Sequence, residues 1–204
     1  MAVLTCEYDG VPFNEPRSHP WTDTAGRPEC RYYDLTREPS LIRRSLEDFR
    51  PWRHYAAVED FYVLLAALNR PASPLETNDC AFDGPHENEN PAFEKSLQCD
   101  GRVMVLFRNL ERNTIAGEVE QLAHRLHRNL AETDPTLRWG VIGTSIIPVR
   151  YLGLPEVDGR QQGSQLMISF WAWGDSEAEC MRYLRRVLKN LSSALLKLPD
   201  AGCP

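Results

Sequence analysis

The chain contains no apolar run that approaches the roughly 18 to 20 residues a helix needs to span a bilayer. Its first ten residues include Glu7 and Asp9, where a secretory signal has basic residues followed by an apolar stretch. The sequence therefore predicts a protein that is neither anchored in a membrane nor exported. We expect a cytoplasmic location, in a bacterial cell.

Closely spaced cysteines are also missing. The six cysteines are spread along the chain and none forms a Cys-x-x-Cys pair, a spacing that zinc ribbons and small disulfide scaffolds require; they are Cys6, Cys30, Cys80, Cys99, Cys180 and Cys203. The sequence predicts reduced thiols with structural or incidental roles, which suits a reducing compartment.

The familiar catalytic and nucleotide-binding motifs are absent as well. Neither of the glycine-rich phosphate-binding patterns occurs, and there is no G-x-S-x-G elbow or H-E-x-x-H pair. No cofactor is predicted on this basis. The absence of these motifs does not by itself exclude an enzyme.

What the chain does have is an ordinary folded composition, with 204 residues, 42% apolar and 25% charged. This length suits one domain over residues 1–204 around a single core. The formal net charge of −6 opposes binding to nucleic acid, because an acidic surface repels a dense line of phosphates.

The N-terminal third, residues 1–71, is predicted to form an irregular wrap followed by helices. Residues 1–38 lack sustained periodicity, apart from a short strand expected near Ala2–Tyr8. Apolar spacing predicts a first helix over Ser40–Phe49 and a second over His54–Asn69. Residues 72–101 show no periodicity and are interpreted as a long polar loop.

The C-terminal half, residues 102–197, is predicted to hold the sheet and its helices. Val103–Phe107 is apolar on both parities, which is typical of a central strand covered on both faces. Thr114–Ala131 has helical spacing, and strands are expected over 138–152 and 164–173. The box Ser176-Glu177-Ala178-Glu179 predicts the start of the last helix.

The order strand, helix, strand, strand, helix predicts an α+β fold with a ferredoxin-like (βαββα) sheet. The fourth strand of such a sheet is missing from this half, so it is either supplied by Ala2–Tyr8 or absent. Strand 164–173 is apolar on both parities, and we therefore expect the helix over 54–69 to cover the face that the two later helices leave open.

An acidic stretch between Leu75 and Glu94 is the first candidate site, since it contains six carboxylates and no Lys or Arg. Hard oxygen ligands of this kind suit a divalent metal ion, but the spacing does not follow the calcium-loop pattern. A solvated acidic loop and a partner-docking loop are therefore the other interpretations. The candidate binding residues here are Asp79, Asp83, His86 and Glu87.

A second candidate lies where the last strand meets the last helix, in Phe170-Trp171-Ala172-Trp173-Gly174-Asp175. A glycine at such a junction can turn backbone amides toward an anion, although the carboxylate of Asp175 would repel phosphate. The two tryptophans have two interpretations: they pack in the core, or they form a surface for a ligand or partner. The candidate residues are Trp171, Trp173 and Asp175.

Two functions from different classes follow. The preferred hypothesis is a non-catalytic protein-binding module of the bacterial cytosol, for which an inhibitor of a basic enzyme, such as an immunity protein, is one form. The alternative is a hydrolase or transferase with an acidic, divalent-metal site between loop 75–94 and Trp171–Asp175. The sequence leaves the oligomeric state open.

Overall fold

The computed structural model describes residues 2–5, 17–20, 32–90, 92–131, 134, 136–156 and 161–198; for 2–5, 17 and 131 it describes the backbone alone. The strands in these ranges are β1 (Ala2–Thr5), β2 (Arg17–His19), β3 (Leu75–Glu87), β4 (Leu97–Phe107), β5 (Gly140–Tyr151) and β6 (Gln162–Gly174). The α-helices are α1 (Leu41–Ser45), α2 (Ala56–Asn69), α3 (Glu118–Ala131) and α4 (Glu177–Leu196). The fold is α+β, as predicted.

The strands form one mixed sheet in the order β1-β5-β6-β4-β3, and β2 also pairs with β5. β1 and β2 run parallel to β5, whereas the other neighbours are antiparallel. This order does not confirm the ferredoxin-like arrangement, because strands from outside the βαββα unit join the sheet beyond both β4 and β5. The strand expected near Ala2–Tyr8 is present as β1, while Cys6 to Tyr8 lie outside the described residues.

The central strand predicted at Val103–Phe107 is confirmed as the end of β4. Every residue of this run is 0 or 1% exposed, and β4 pairs with β6 on one side and β3 on the other. Because side chains alternate across a strand, Val103, Val105 and Phe107 enter the main core while Leu106 joins a smaller cluster with Val149 and Tyr151. β4 is therefore covered on both faces.

The long polar loop predicted over 72–101 is wrong. Leu75–Glu87 is the edge strand β3, and β4 already begins at Leu97, so that only residues 88–96 connect the two strands. Register shifts between Thr77 and Asp79 and between Asp83 and His86 break the alternation of side chains, which hides the period of two in the sequence. The exposed charges suit an edge strand, because they discourage pairing with another chain.

Helices α2, α3 and α4 pack into one core on the same face of the sheet. The expectation that the 54–69 helix covers the opposite face is therefore wrong. Phe61 of α2 lies edge-on to Phe170, at 5.5 Å between ring centroids, and Asp60 accepts a 2.8 Å hydrogen bond from Arg185 of α4. Among the helices in the described ranges, none combines the length and apolarity needed to cross a membrane.

The helix boundaries depart from the predicted ones where capping or proline intervenes. The 40–49 segment forms only the short α1, followed by a 3-10 helix over Glu47–Trp52 that contains Pro51. α3 begins at Glu118, directly after Gly117 adopts a φ of 84° that favours glycine. The predicted cap of α4 is present in part, since Ser176 Oγ accepts from the Glu179 amide. The Glu179 carboxylate accepts from the Asp175 amide instead of from Ser176.

Three cysteines lie in the described residues, and all three are free thiols. Cys99 of β4 and Cys180 of α4 are fully buried, with their sulfur atoms 3.1 Å apart. The hydrogen bond with Cys180 and burial raise the pKa of the Cys99 thiol well above its ordinary value. Cys6, Cys30 and Cys203 lie outside the described residues.

A buried asparagine ties α2 to the edge strand. Asn69 is 1% exposed, and its side-chain amide donates to the carbonyl of Leu65 and to Thr77 Oγ1, both at 2.8 Å. Its carbonyl oxygen accepts from the Thr77 amide at 3.1 Å. These bonds satisfy polar groups that burial would otherwise leave without partners, so they fix where β3 lies against the helix.

We expect Asn69→Leu to lower the free energy of unfolding by about 2 to 4 kcal/mol, because the Thr77 amide and hydroxyl would stay buried without their partner. Asn190→Leu is the matched control, since Asn190 is also buried and its Nδ2 has no hydrogen-bond partner within the described residues. Urea denaturation followed by circular dichroism measures both variants. Equal losses in the two variants would show that the Asn69 bonds contribute nothing specific.

Candidate functional site

The connection between β3 and β4 folds against the sheet and is held in one shape by its own hydrogen bonds. Asn88 Nδ2 donates to the backbone carbonyls of Asn90, Phe93 and Lys95, at 2.8 to 3.2 Å. Asn88 Oδ1 accepts from the Asn90 amide at 3.0 Å. One asparagine thus organises most of the connection, in the way that asparagine side chains commonly stabilise turns.

The far end of the connection is anchored to the start of α4 by charge. Lys95 Nζ lies 2.5 Å from Asp175 Oδ2 and 3.5 Å from Glu179 Oε1, and it also lies over the ring of Trp139. The Ser96 amide donates to Asp175 Oδ1 at 3.3 Å. The hydrogen bond from Lys95 is the main cause that lowers the pKa of the Asp175 carboxyl.

Phe93 in the same connection stacks on Trp173 of β6. Their ring centroids are 3.8 Å apart and the rings are nearly parallel, at 12°. Trp173 is only 3% exposed, and its indole Nε1 donates to Gln98 Oε1 at 3.0 Å, so its polar group is satisfied. Gln98 in turn donates to Asp100 Oδ2 at 3.2 Å. The tryptophan therefore has a fixed position between the connection and β4.

Between this connection and the sheet lies a cleft with a volume of about 750 Å³, which we call the aromatic cleft. It draws residues from β3, the connection, β4, β5 and β6. Three aromatic side chains, two carboxylates and no Lys or Arg are among them; the lining residues are His86, Glu87, Glu89, Asn90, Phe93, Gln98, Val141, Trp171 and Trp173. The volume falls within the range of about 300 to 1,000 Å³ typical of ligand-binding sites.

The imidazole of His86 has a defined tautomer at the edge of the aromatic cleft. Its Nδ1 lies 2.8 Å from the carbonyl oxygen of Gly84, and because a carbonyl only accepts, Nδ1 carries a proton. Nε2 lies 3.8 Å from Asp100 Oδ2, and Asp83 Oδ2 lies 3.9 Å from Nδ1. The histidine therefore lies between two carboxylates.

The structure brings four of the seven sequence-predicted site residues together, since His86, Glu87, Trp171 and Trp173 all line the aromatic cleft. Asp175 does not line it and instead anchors the connection through Lys95. These placements do not test a binding role, which stays a prediction.

The two remaining predicted residues are elsewhere on β3. Asp79 accepts from Arg102 at 3.4 Å, while Asp83 is largely exposed beside His86. Within the described part of the chain, no group of three or more His, Cys, Asp or Glu side chains is close enough to hold a metal ion. The metal site of the alternative hypothesis stays a prediction.

Sequence reasoning missed the residues that complete the cleft, notably Phe93, Gln98 and Val141. Phe93 is a lone aromatic in a polar stretch, and Gln98 and Val141 reach the site only through strand pairing: Gln98 pairs with both His86 and Trp173, and Val141 pairs with Trp171. The available signal was the isolated Phe93, because an aromatic residue in a polar connection usually packs on something.

Comparison with known proteins does not identify a relative. No protein-family model, curated protein or solved structure matches this chain significantly.

We expect Lys95→Met to raise the pKa of Asp175 toward the ordinary value of about 3.9, because the main cause of its lowering is removed. In the wild type the lowered pKa stabilises the fold above the unfolded-state pKa, and this contribution is lost as pH falls through the folded-state pKa. The stability difference between wild type and variant should therefore shrink in acid.

Titration of the side-chain carboxyl carbons by NMR measures this change directly. Asp134 is the internal control, since hydrogen bonds from Thr136 and Arg186 lower its pKa to about 2 and Lys95 is not among the causes. An Asp175 titration that is the same in both proteins would contradict the anchoring role of Lys95.

Proposed function

We propose that this chain is a non-catalytic protein-binding module that holds a partner in the aromatic cleft. The observation that carries the proposal is the cleft itself, where Trp171 and Phe93 are half-buried beside the buried Trp173. Tryptophan is enriched among the few interface residues that supply most of the binding energy, particularly in well-packed pockets. The cleft presents such groups on the surface of the sheet.

The rigidity of the cleft supports a binding role. The connection is organised by Asn88, anchored by Lys95 and packed through Phe93, and Trp173 is fixed by its bond to Gln98. A site whose side chains are already held in place loses less conformational entropy when a partner binds. An inhibitor of a basic enzyme, such as an immunity protein that neutralises a toxin, is one form that this function takes.

The alternative, a hydrolase or transferase with an acidic active site, has less support. It assigns acid, base or metal-ligand roles to His86, Asp79 and Asp83, and these roles require the three side chains to converge on one substrate. Asp79 pairs with Arg102, whereas His86 contacts Asp83 and Asp100. A binding role accounts for the aromatic side chains of the cleft, to which the alternative assigns no chemical role.

Affinity capture from the lysate of the source cell, followed by mass spectrometry, tests the proposal. We expect the wild-type protein to retain a defined partner. Trp171→Ala should retain at least about tenfold less of that partner, as is usual for a central aromatic residue of an interface. Val63→Ala should retain the partner fully, because Val63 is an exposed apolar residue of α2, outside the cleft.

Thermal unfolding of each variant verifies that the captured protein is folded. A partner bound equally by wild type and a folded Trp171→Ala variant would place the binding surface elsewhere. Failure of the wild type to retain any protein above the level of an unrelated bait would contradict the proposed function.

A further inference from the structure

The two carboxylates that line the aromatic cleft, Glu87 and Glu89, differ in their surroundings from many other carboxylates in the described part of the chain. Elsewhere on the described residues, Lys and Arg side chains pair with carboxylates on helices, strands and loops, as in Arg43 with Glu59 and Arg185 with Asp60. No such pair within the described part of the chain includes Glu87 or Glu89, whereas Asp83 and Asp100 lie 3.9 and 3.8 Å from the imidazole of His86.

The basic side chains nearest to these carboxylates along the strands have other partners. Lys95 is held by Asp175 and Glu179, and Arg102 is held by Asp79. Glu87 and Glu89 therefore place negative charge at the edge of the cleft, with no Lys or Arg partner among the residues that the structure describes. The low-dielectric walls of a cleft focus the electric field of such charges toward its opening.

The aromatic walls of the cleft favour a cationic ligand, as its carboxylates do. The faces of aromatic rings carry partial negative charge and attract cations, most strongly for tryptophan. Trp171 is half-buried in the cleft, and Phe93, stacked on Trp173, lines it from the connection. A cation placed there would contact an aromatic face while it remains close to the carboxylates of Glu87 and Glu89.

We propose that the aromatic cleft takes a cationic side chain, lysine or arginine, from a segment of the partner protein. This inference rests on the proposed function and names the chemistry of the partner. The cleft supplies an aromatic surface for the aliphatic or planar part of the side chain and carboxylates for its charged end. An acidic segment or a nucleic acid would meet repulsion at the same edge.

Binding of short labelled peptides, measured by fluorescence anisotropy, tests the inference. The probes are seven-residue peptides in which glycine alternates with arginine, lysine or glutamate. We expect the two basic peptides to bind and the glutamate peptide not to bind, with affinity falling several-fold as ionic strength rises from about 0.02 to about 0.3 M. The arginine and lysine peptides together show which cationic group the cleft prefers.

Matched variants locate the binding on the protein. Glu87→Gln with Glu89→Gln should weaken binding, whereas Asp48→Asn with Glu111→Gln, which makes the same change in net charge at exposed positions outside the cleft, should not. Trp171→Leu should weaken binding by roughly two- to thirtyfold, the range that a cation over tryptophan spans. Thermal unfolding again verifies the fold of each variant.

Equal weakening in the two double variants would mean general charge attraction and would overturn the inference. Absence of binding by either basic peptide to the wild type would overturn it as well. If the captured partner still depends on Trp171 in that case, the protein-binding function stands and only the cationic chemistry is wrong. If the peptides bind but no partner depends on Trp171, the cleft recognises cations and the proposed function is wrong.

Discussion

The pairing of β4 with both β6 and β3 is the constraint on which the rest of the structure depends. β4 pairs with β6 from Leu97 to Val105 and with β3 from Leu97 to Phe107, so the hairpin β3–β4 and the later strand β6 share one register. His86, Gln98 and Trp173 consequently stand in one row across the sheet. A slip of one residue in either pairing would turn this row toward the helices and remove the aromatic cleft.

The register is protected because β4 is buried on both faces at its Val103–Phe107 end, where a slip would expose apolar side chains. The other end of β4 carries Gln98, which lines the cleft and donates a hydrogen bond to Asp100. One end of the strand therefore lies in the core and the other end lies at the aromatic cleft. The burial of Val103–Phe107 fixes the register of the whole strand, and this register sets where Gln98 lies in the cleft.

The apolar end of β4 was also the part that sequence reasoning predicted well. The central strand at Val103–Phe107 and the helices α2 and α4 follow from periodicity and capping, which are local properties of the chain. β3 was missed because its buried residues include polar Thr77 and Asn78, whose burial depends on hydrogen bonds to distant residues such as Asn69 and Gln165. Its two register shifts removed the remaining alternation.

The candidate site was predictable to a similar extent. The acidic stretch and the Trp171–Trp173 pair were recognisable as chemistry, and the structure places His86 and Glu87 opposite those tryptophans. Their meeting depends on strand order, and strand order was not predictable once β3 had been interpreted as a loop. Phe93 and Gln98 acquire their roles only from contacts with Trp173, which no local pattern reveals.

The distribution of charged side chains gives the aromatic cleft a negative edge. Lys95 pairs with Asp175 and Glu179 behind the connection, while Glu87 and Glu89 on the cleft side have no Lys or Arg partner within the described residues. The same nine-residue connection thus stabilises the fold at one end and leaves a negative edge at the other. This separation is what links the architecture to the proposed binding of a basic partner.

Residue-resolved hydrogen exchange of the backbone amides, measured by NMR, tests the pairing of β3 with β4 most directly. We expect alternate amides of Leu75–Glu87 to exchange slowly, together with those of Leu97–Phe107, because both sets donate across the same ladder. Exchange throughout Leu75–Glu87 at the rate of an unstructured peptide would contradict the register, and with it the cleft.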